Sequence, residues 1–525
     1  MFKTDVRLEL EYREADVIAA ITERLPIGAD ELSDVTVIKR TLCLDDRSDM
    51  HYKATVAARI SPEREAGLLK MKKKVSPYEG YVLDLPPWRG STRPVVVGAG
   101  PAGLFCALML AEAGARPILL ERGLSVDERK SRVDALARFG VLDEECNVQF
   151  GEGGAGTYSD GKLKVGSMDK YKHRVLSEFV DCGADADIMF ATGAHIGTDK
   201  LSEIVKCIRE KIRALSGEVV FGARLTEVLV KNGRVVGARV VKDGKISELE
   251  CDTLVLATGH SARDTFEMLR KIGANLVPKG FGIGLRIEHP REHIDGLVYG
   301  KNPRASLGAA SYHLVTHLDS GRSVYSFCMC PGGTVVHAAS ENGGIVTNGM
   351  SENARDGENS NAALLVSTTP DDFGSDDPLA GIELQRRIER LAFVAAGGSY
   401  KAPATSLDSF MSGSAARLGA VKPTYPVGTE LISPDEYLPT FVTDSLRAAM
   451  PDFDEWMPGY RYGDAALTGP ETRTTSPVRV LRAEDFHAFG IEGLYPIGEG
   501  AGYAGGIISS ARDGVMCAES LLKRQ

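Results

Sequence analysis

Two glycine-rich stretches far apart in this 525-residue chain hold the residues best suited to chemistry. The first is "VVVGAGPAGLFCALMLAEAGARPILLERG", where Gly98, Gly100 and Gly103 separate a run of valines from an apolar, helix-forming segment. The second is "YPIGEGAGYAGGIISSARDG", where Gly498, Gly505 and Gly506 precede what reads as the last helix. Backbone without Cβ lets another group come close, and a helix N-terminus offers unpaired N–H donors and the positive end of the helix dipole. Both stretches therefore suit an anion, and a pyrophosphate above all.

The first stretch carries its full context. A short β-branched strand (Pro94 to Val97), the Gly98-x-Gly100-x-x-Gly103 turn, a helix to about Ala113 and a second strand ending at Glu121 make the dinucleotide fingerprint. Gly98 permits the tight turn, Gly100 lets a pyrophosphate reach the backbone across Pro101 and Ala102, and Gly103 lets helix pack on strand. Glu121 stands where a carboxylate accepts from an adenosine ribose hydroxyl, and it would repel a 2′-phosphate. Arg122 and Arg129 follow closely enough to reach adenine or pyrophosphate, with a solvated helix residue the alternative for Arg129.

Three further segments resemble the glutathione-reductase-type FAD superfamily. They are "NVQFGEGGAGTYSDGKL" with Gly153 and Gly154, "CDTLVLATGHSA" with Gly259, and "LYPIGEGAGYAGGI" with Gly498, Glu499, Gly505, Gly506 and Ile507. The resemblance implies one noncovalently held FAD gripped at several separated points, with the first segment beside the isoalloxazine and the last on the ribityl chain and pyrophosphate. The superfamily usually has Asp where this chain has Glu499, whose longer side chain is expected to reach a ribityl hydroxyl. Together with "FCMCPGGTVVHAASENGGIVTNGMSENARDGENSN" and "ALTGPETRTTSPVRV", these segments are similar to a bacterial family of FAD-dependent dehydrogenases with a small N-terminal domain. That likeness spans nearly the whole chain and departs from the family at "TLCLDDRSDMHYK", where a more basic segment is expected.

Four constellations are candidates for chemistry near a flavin. Cys328 and Cys330 alternate on an apparent strand, so a redox pair and two small core residues are the competing readings. In "PETRTTSPVR", Glu471, Arg473 and Arg479 either stabilise charge on a reduced flavin or form a surface ion-pair strip. His289 and His293 are four apart, but Pro290 and the lack of a third ligand favour an exposed loop, so no metal is expected. The arginines after Glu121 complete the set.

The elements that must position these residues fall into an α/β arrangement. Residues 1–60 read as β-α-β-β, a small ferredoxin-like α+β module available to a protein partner, followed by a linker over 61–93 that contains Lys70, Lys72, Lys73 and Lys74. An FAD/NAD(P)-binding Rossmann-like domain occupies 94–261 and resumes over 471–525, interrupted by a mixed α+β substrate domain over 262–470. Within the first part, Leu201, Ile204, Val205, Ile208, Ile212 and Leu215 share one helical face behind Thr198 as N-cap. Asn-Gly and Asp-Gly turns then mark a hairpin meander.

Composition narrows the function classes. A net charge of −10 with interspersed signs disfavours nucleic acid and anionic membrane as partners. The apolar stretch from Pro94 to Leu120 is broken by Gly98, Gly100, Glu112, Gly114 and Arg116, unlike a membrane span. Nine scattered cysteines without CxxC pairs suggest neither a disulfide framework nor a metal cluster, and with no secretory h-region they point to the cytoplasm. The expectation is an FAD-dependent oxidoreductase moving hydride between flavin and a small organic substrate, with NAD(P)H or another carrier as reductant. A flavin monooxygenase and a non-enzymatic flavin-containing binding or sensor protein are the alternatives.

Overall fold

The computed structural model describes residues 1–71, 74–301 and 305–524, so Lys72 and Lys73 of the basic run lie outside the described residues. The N-terminal module contains β1 (Phe2–Leu8), α1 (Glu14–Arg24), β2 (Ser33–Cys43) and β3 (His51–Arg59), then continues into α2 (Pro62–Leu68) and β4 (Ser76–Pro77). The sheet order is β2-β3-β1-β4, so the ferredoxin-like unit runs on to Pro77 and takes in the first half of the stretch read as a linker. Its core follows the period of a half-buried strand: Phe2, Thr4, Val6 and Leu8 point inward and receive Val17 and Ile21 of α1. The β2 edge is not left open. Arg40 N donates to Phe190 O at 2.7 Å, Thr192 N donates to Arg40 O at 2.8 Å, and the Arg40 guanidinium reaches Asp187.

The nucleotide domain follows with β5 (Val95–Val97), α3 (Pro101–Glu112), β6 (Ile118–Leu120), α4 (Val126–Phe139), α5 (Lys170–Asp181), α6 (Thr198–Ala214), β7 (Glu218–Val220), a three-stranded meander β8 (Ala223–Lys231), β9 (Arg234–Lys242) and β10 (Lys245–Glu250), and β11 (Leu254–Leu256). Strands β11, β5, β6 and β7 run parallel in that spatial order. Helix α3 is buried from Ala102 through Ala111, which explains its all-round apolarity: it lies in the core between other helices. Among the described residues, no helix is long and apolar enough to cross a membrane. Helix α6 buries the expected Leu201, Ile204, Val205, Ile208 and Ile212, but Leu215 lies past its end and is exposed. Thr198 is the first helical residue rather than the N-cap, and its hydroxyl donates to Thr157 O. Cys182, following α5, is disulfide-bonded to Cys207 on α6, a pair the dispersed cysteine spacing did not signal.

Between β11 and the last strand lie α7 (Arg263–Lys271), β12 (Leu276–Pro278), β13 (Gly282–Pro290), α8 (Arg291–Tyr299), β14 (Val315–His317), β15 (Ser323–Cys330), β16 (Thr334–His337), β17 (Thr347–Met350), β18 (Asn359–Ser367), α9 (Ala380–Ala395), β19 (Ala402–Ser406), α10 (Leu407–Ser412), β20 (Thr429–Leu431), α11 (Thr440–Trp456), β21 (Ala466–Glu471) and β22 (Val478–Val480). Seven strands form one sheet in the order β14-β15-β18-β13-β21-β19-β20, while β16 and β17 pair separately. The chain's departure and return are zipped together, since β12 pairs antiparallel with β22. His289 lies on the buried strand β13, not in an exposed loop, and its Nε2 is 2.9 Å from Tyr460 O; His293 Nε2 is 2.9 Å from Gly459 O.

The chain then supplies β23 (Leu494–Pro496) and α12 (Ile507–Lys523). Strand β23 joins β11 on its free side and completes a five-stranded parallel sheet. Helix α12 packs along α3, so the two helices opened by the glycine-rich stretches lie side by side.

Candidate active site

A cleft of about 240 Å3 opens where these two helices begin. From the first stretch it is lined by Gly98, Gly100, Pro101, Ala102, Glu121 and Arg122; from the second, by Glu499, Gly505, Gly506 and Ile507. Neither α3, capped by Gly100, nor α12, capped by Gly506, has a side-chain cap on its first amides, so both N-termini keep donors for a ligand. A Cβ built on Gly259, Gly505 or Gly506 would meet nothing within 4 Å. The backbone there borders open space, as a cradle for a bound group requires.

Other glycines are packed for a different reason. Gly98 has φ +102°, and a Cβ on it would stand 2.4 Å from Ala257 O. A Cβ on Gly103 would stand 1.8 Å from Gly98 O, so Gly103 closes helix on turn and does not line the cleft. Gly153 and Gly498 also sit behind the lining: Gly153 N donates to Ala99 O at 2.8 Å, and Gly498 N donates to Asp513 Oδ2 at 2.7 Å. Gly154 does line it.

Glu121, at the end of β6, ties three backbone segments together. Its carboxylate accepts from Ala99 N at 2.8 Å, Gly123 N at 2.9 Å and Gly151 N at 2.9 Å, fixing its position at the cleft wall. Arg122 stacks over Phe150 at 4.5 Å and pairs with Asp264. Arg129 corrects both expectations made for it. It is fully buried away from the cleft, where it donates to the carbonyls of Asn147, Val148, Glu152 and Gly154 and to Thr157 Oγ1, moulding the glycine-rich loop from behind.

The cleft is also lined by Cys328, Glu471, Arg473, Lys162, His260 and Asn348. Glu471 and Arg473 are buried, so the surface ion-pair strip is not what forms, and the two do not pair with each other. Glu471 receives a two-pronged hydrogen bond from Arg286, at 2.5 and 2.9 Å. Arg473 pairs with Glu389, which Arg263 also holds, and these two arginines bring the Glu389 carboxyl down to about 2 against the cost of burial. Burial raises Glu471 to about 7 even with Arg286 beside it. Burial likewise lifts Glu499 to about 8, with Lys279 opposing, and that carboxyl has no hydrogen-bond partner among the described residues. His260 is driven down to about 3, by burial first and then by Arg473 and Arg263, and stays neutral.

The two cysteines do not simply alternate. Between Phe327 and Cys330 the pairing of β15 with β18 slips by a residue, a bulge at which Cys328 takes φ +42° and turns into the cleft. Arg286, Lys162, His260 and Asn348 were not singled out from sequence. Two of them had a local signal: Arg286 is a charge that alternates with Glu288 in the strand "GIGLRIEHP", and His260 directly follows the Ala-Thr-Gly return.

The chain matches two family models. Residues 92–274 match pyridine nucleotide-disulphide oxidoreductase, and residues 280–474 match FAD-dependent protein, C-terminal domain-like. A Clostridium beijerinckii protein carrying the description "Uncharacterized protein" is 44% identical over 513 residues, covering 96% of this chain and 95% of its own. Similar solved structures include a geranylgeranyl bacteriochlorophyll reductase-like protein from Thermoplasma acidophilum, 12% identical over 82% of this chain and 77% of its own with a TM-score of 0.36. Another is 3-ketosteroid-delta4-(5alpha)-dehydrogenase from Rhodococcus jostii RHA1, 13% identical over 84% of this chain and 100% of its own with a TM-score of 0.37.

Proposed function

We propose a function from one premise: the chain belongs to a family of FAD-dependent oxidoreductases, shared with its Clostridium beijerinckii relative. Our reading is that it moves hydride between FAD in this cleft and a small organic substrate, with NAD(P)H or another carrier as the electron donor. The observation that carries it is the convergence of two helix N-termini without side-chain caps, α3 and α12, on one cleft whose glycines border open space.

The residues present suit the cofactor. Free amides at the starts of α3 and α12 would hold the pyrophosphate, Glu121 the adenosine ribose and Glu499 a ribityl hydroxyl. Bound there, FAD supplies the hydride and electron chemistry. The chain's own groups do the rest. On this reading Phe327, Cys328, Asn348 and Glu471, which line the cleft, would bound the space left for substrate. Arg286 fixes the Glu471 carboxyl, which titrates near neutrality and so can hold or release a proton at its Oε atoms. Lys162, whose Nζ donates to Met329 O at 2.7 Å, and Arg473 place positive charge along the same wall.

The test is anaerobic mixing of purified protein with NADH and then NADPH. Bleaching of the flavin absorbance at about 450 nm is the expected outcome, followed by slow return in air without substrate. Fast, substrate-dependent oxygen uptake would replace this reading with a monooxygenase. Absence of bleaching by either nucleotide would remove NAD(P)H as donor.

A further inference from the structure

Cys328 and Cys330 stand two residues apart at the bulge of β15, one on the cleft wall and one behind it, and three features of their setting go together. Cys328 lines the same cleft as the start of α12, while Cys330 is fully buried behind it. The bulge adds one residue of β15 against β18, and Cys328 takes a left-handed φ of +42° there, so the two cysteines leave the flat-strand geometry that would hold them almost too far apart for bonding. Cys330 Sγ donates to Cys328 O at 3.2 Å, which holds its thiol beside the Cys328 backbone. Arg286 donates to Cys328 O at 2.8 Å and thereby holds the turn, while Glu471 occupies the other side of the same guanidinium.

We infer that Cys328 and Cys330 are a dithiol–disulfide couple that exchanges an electron pair with the FAD of the cleft; this rests on the FAD reading above. In the oxidising direction two S–H bonds break and one S–S bond forms between the two Sγ atoms. The electron pair and one proton pass to oxidised FAD as a hydride equivalent, and the second proton goes to the ionised Glu471 carboxylate or to solvent. The reverse returns both thiols. Cys328 is the better nucleophile of the two, since the neighbouring Cys330 thiol and the nearby Arg286 hold its thiol below the ordinary range against the effect of burial, while the Cys330 thiol is raised.

The experiment uses the purified holoenzyme, with its FAD counted by absorbance. Anaerobic titration with dithionite is expected to consume about four electrons per FAD in the oxidised wild type and about two in Cys330→Ser; comparing the two cancels any contribution from Cys182 and Cys207. In parallel, diamide-treated wild type is alkylated and digested. The peptide containing Cys328 and Cys330 is expected to resist alkylation and to be lighter by two hydrogens. If Cys330→Ser does not fold, Cys328→Ser takes its place. Equal electron uptake in wild type and variant overturns the inference, even if the peptide closes under diamide, and so does a peptide that stays fully alkylated. A colourless protein that takes up no FAD on reconstitution defeats the FAD reading itself, and this inference with it; FAD present at full content without the extra electrons defeats the thiol couple alone.

Discussion

Glu471 shows how a single buried side chain couples the two large domains: it ends β21 of the inserted sheet and borders the cleft of the nucleotide domain. Its carboxyl is raised from 4.5 to about 7, so the unfolded chain gives up this proton first, and the stability it contributes at low pH is lost as pH rises through 7. Glu471→Gln should flatten that decline in a chemical-denaturation series and remove a limb near pH 7 from the profile of flavin reduction. A second contrast separates fold from ligand among the glycines. Gly98→Ala forces a Cβ into Ala257 O at φ +102° and should cost about 2 kcal/mol or more of stability. Gly505→Ala meets no atom within 4 Å, so its melting temperature without cofactor should match wild type while its retained FAD per mole of protein falls. Equal FAD retention in Gly505→Ala and wild type would remove this glycine from the cofactor site.

Among elements, the contact between α3 and α12 is the one on which the cleft depends. A Cβ on Gly514 of α12 would stand 2.1 Å from Ala102 O and 3.1 Å from Cys106 N, so this glycine sets how closely the helices approach. Gly514→Ala, although one helical turn or more from the lining, should lose about 1–3 kcal/mol in thermal unfolding and lower FAD content, because the start of α3 moves with the helix. The turn, α3 and β6 were legible in the sequence because their signals are local: valines, spaced glycines, an apolar run and a terminal carboxylate within 30 residues. The large sheet was not. Strand β18, "NSNAALLVS", lies at the end of a polar stretch and is buried only because β13 and β15 flank it across long sequence separations. Arg129 misled for the same reason, since its five acceptors belong to a loop whose path the local sequence does not state.

At the scale of the whole molecule, the N-terminal module extends past the boundary read from sequence because α2 and β4 carry too few apolar residues to announce themselves, yet β4 completes the sheet beside β1. Its β2 edge is held at Arg40 by backbone bonds to Phe190 and Thr192, so the chain's own nucleotide domain docks on that edge at one point. The parallel sheet has an equivalent need: β11 pairs with β5 early in the chain, but its other side is covered only by Leu494–Pro496. On the ribosome, roughly half the polypeptide is made while that edge stands bare, a template for adventitious pairing with neighbouring nascent chains. Chains stopped before residue 494 should therefore aggregate unless chaperones hold them, and co-expression of a 486–525 fragment should restore their solubility and yellow colour. If the shortened chains stay monodisperse alone, as judged by light scattering, the late strand has no such guarding role.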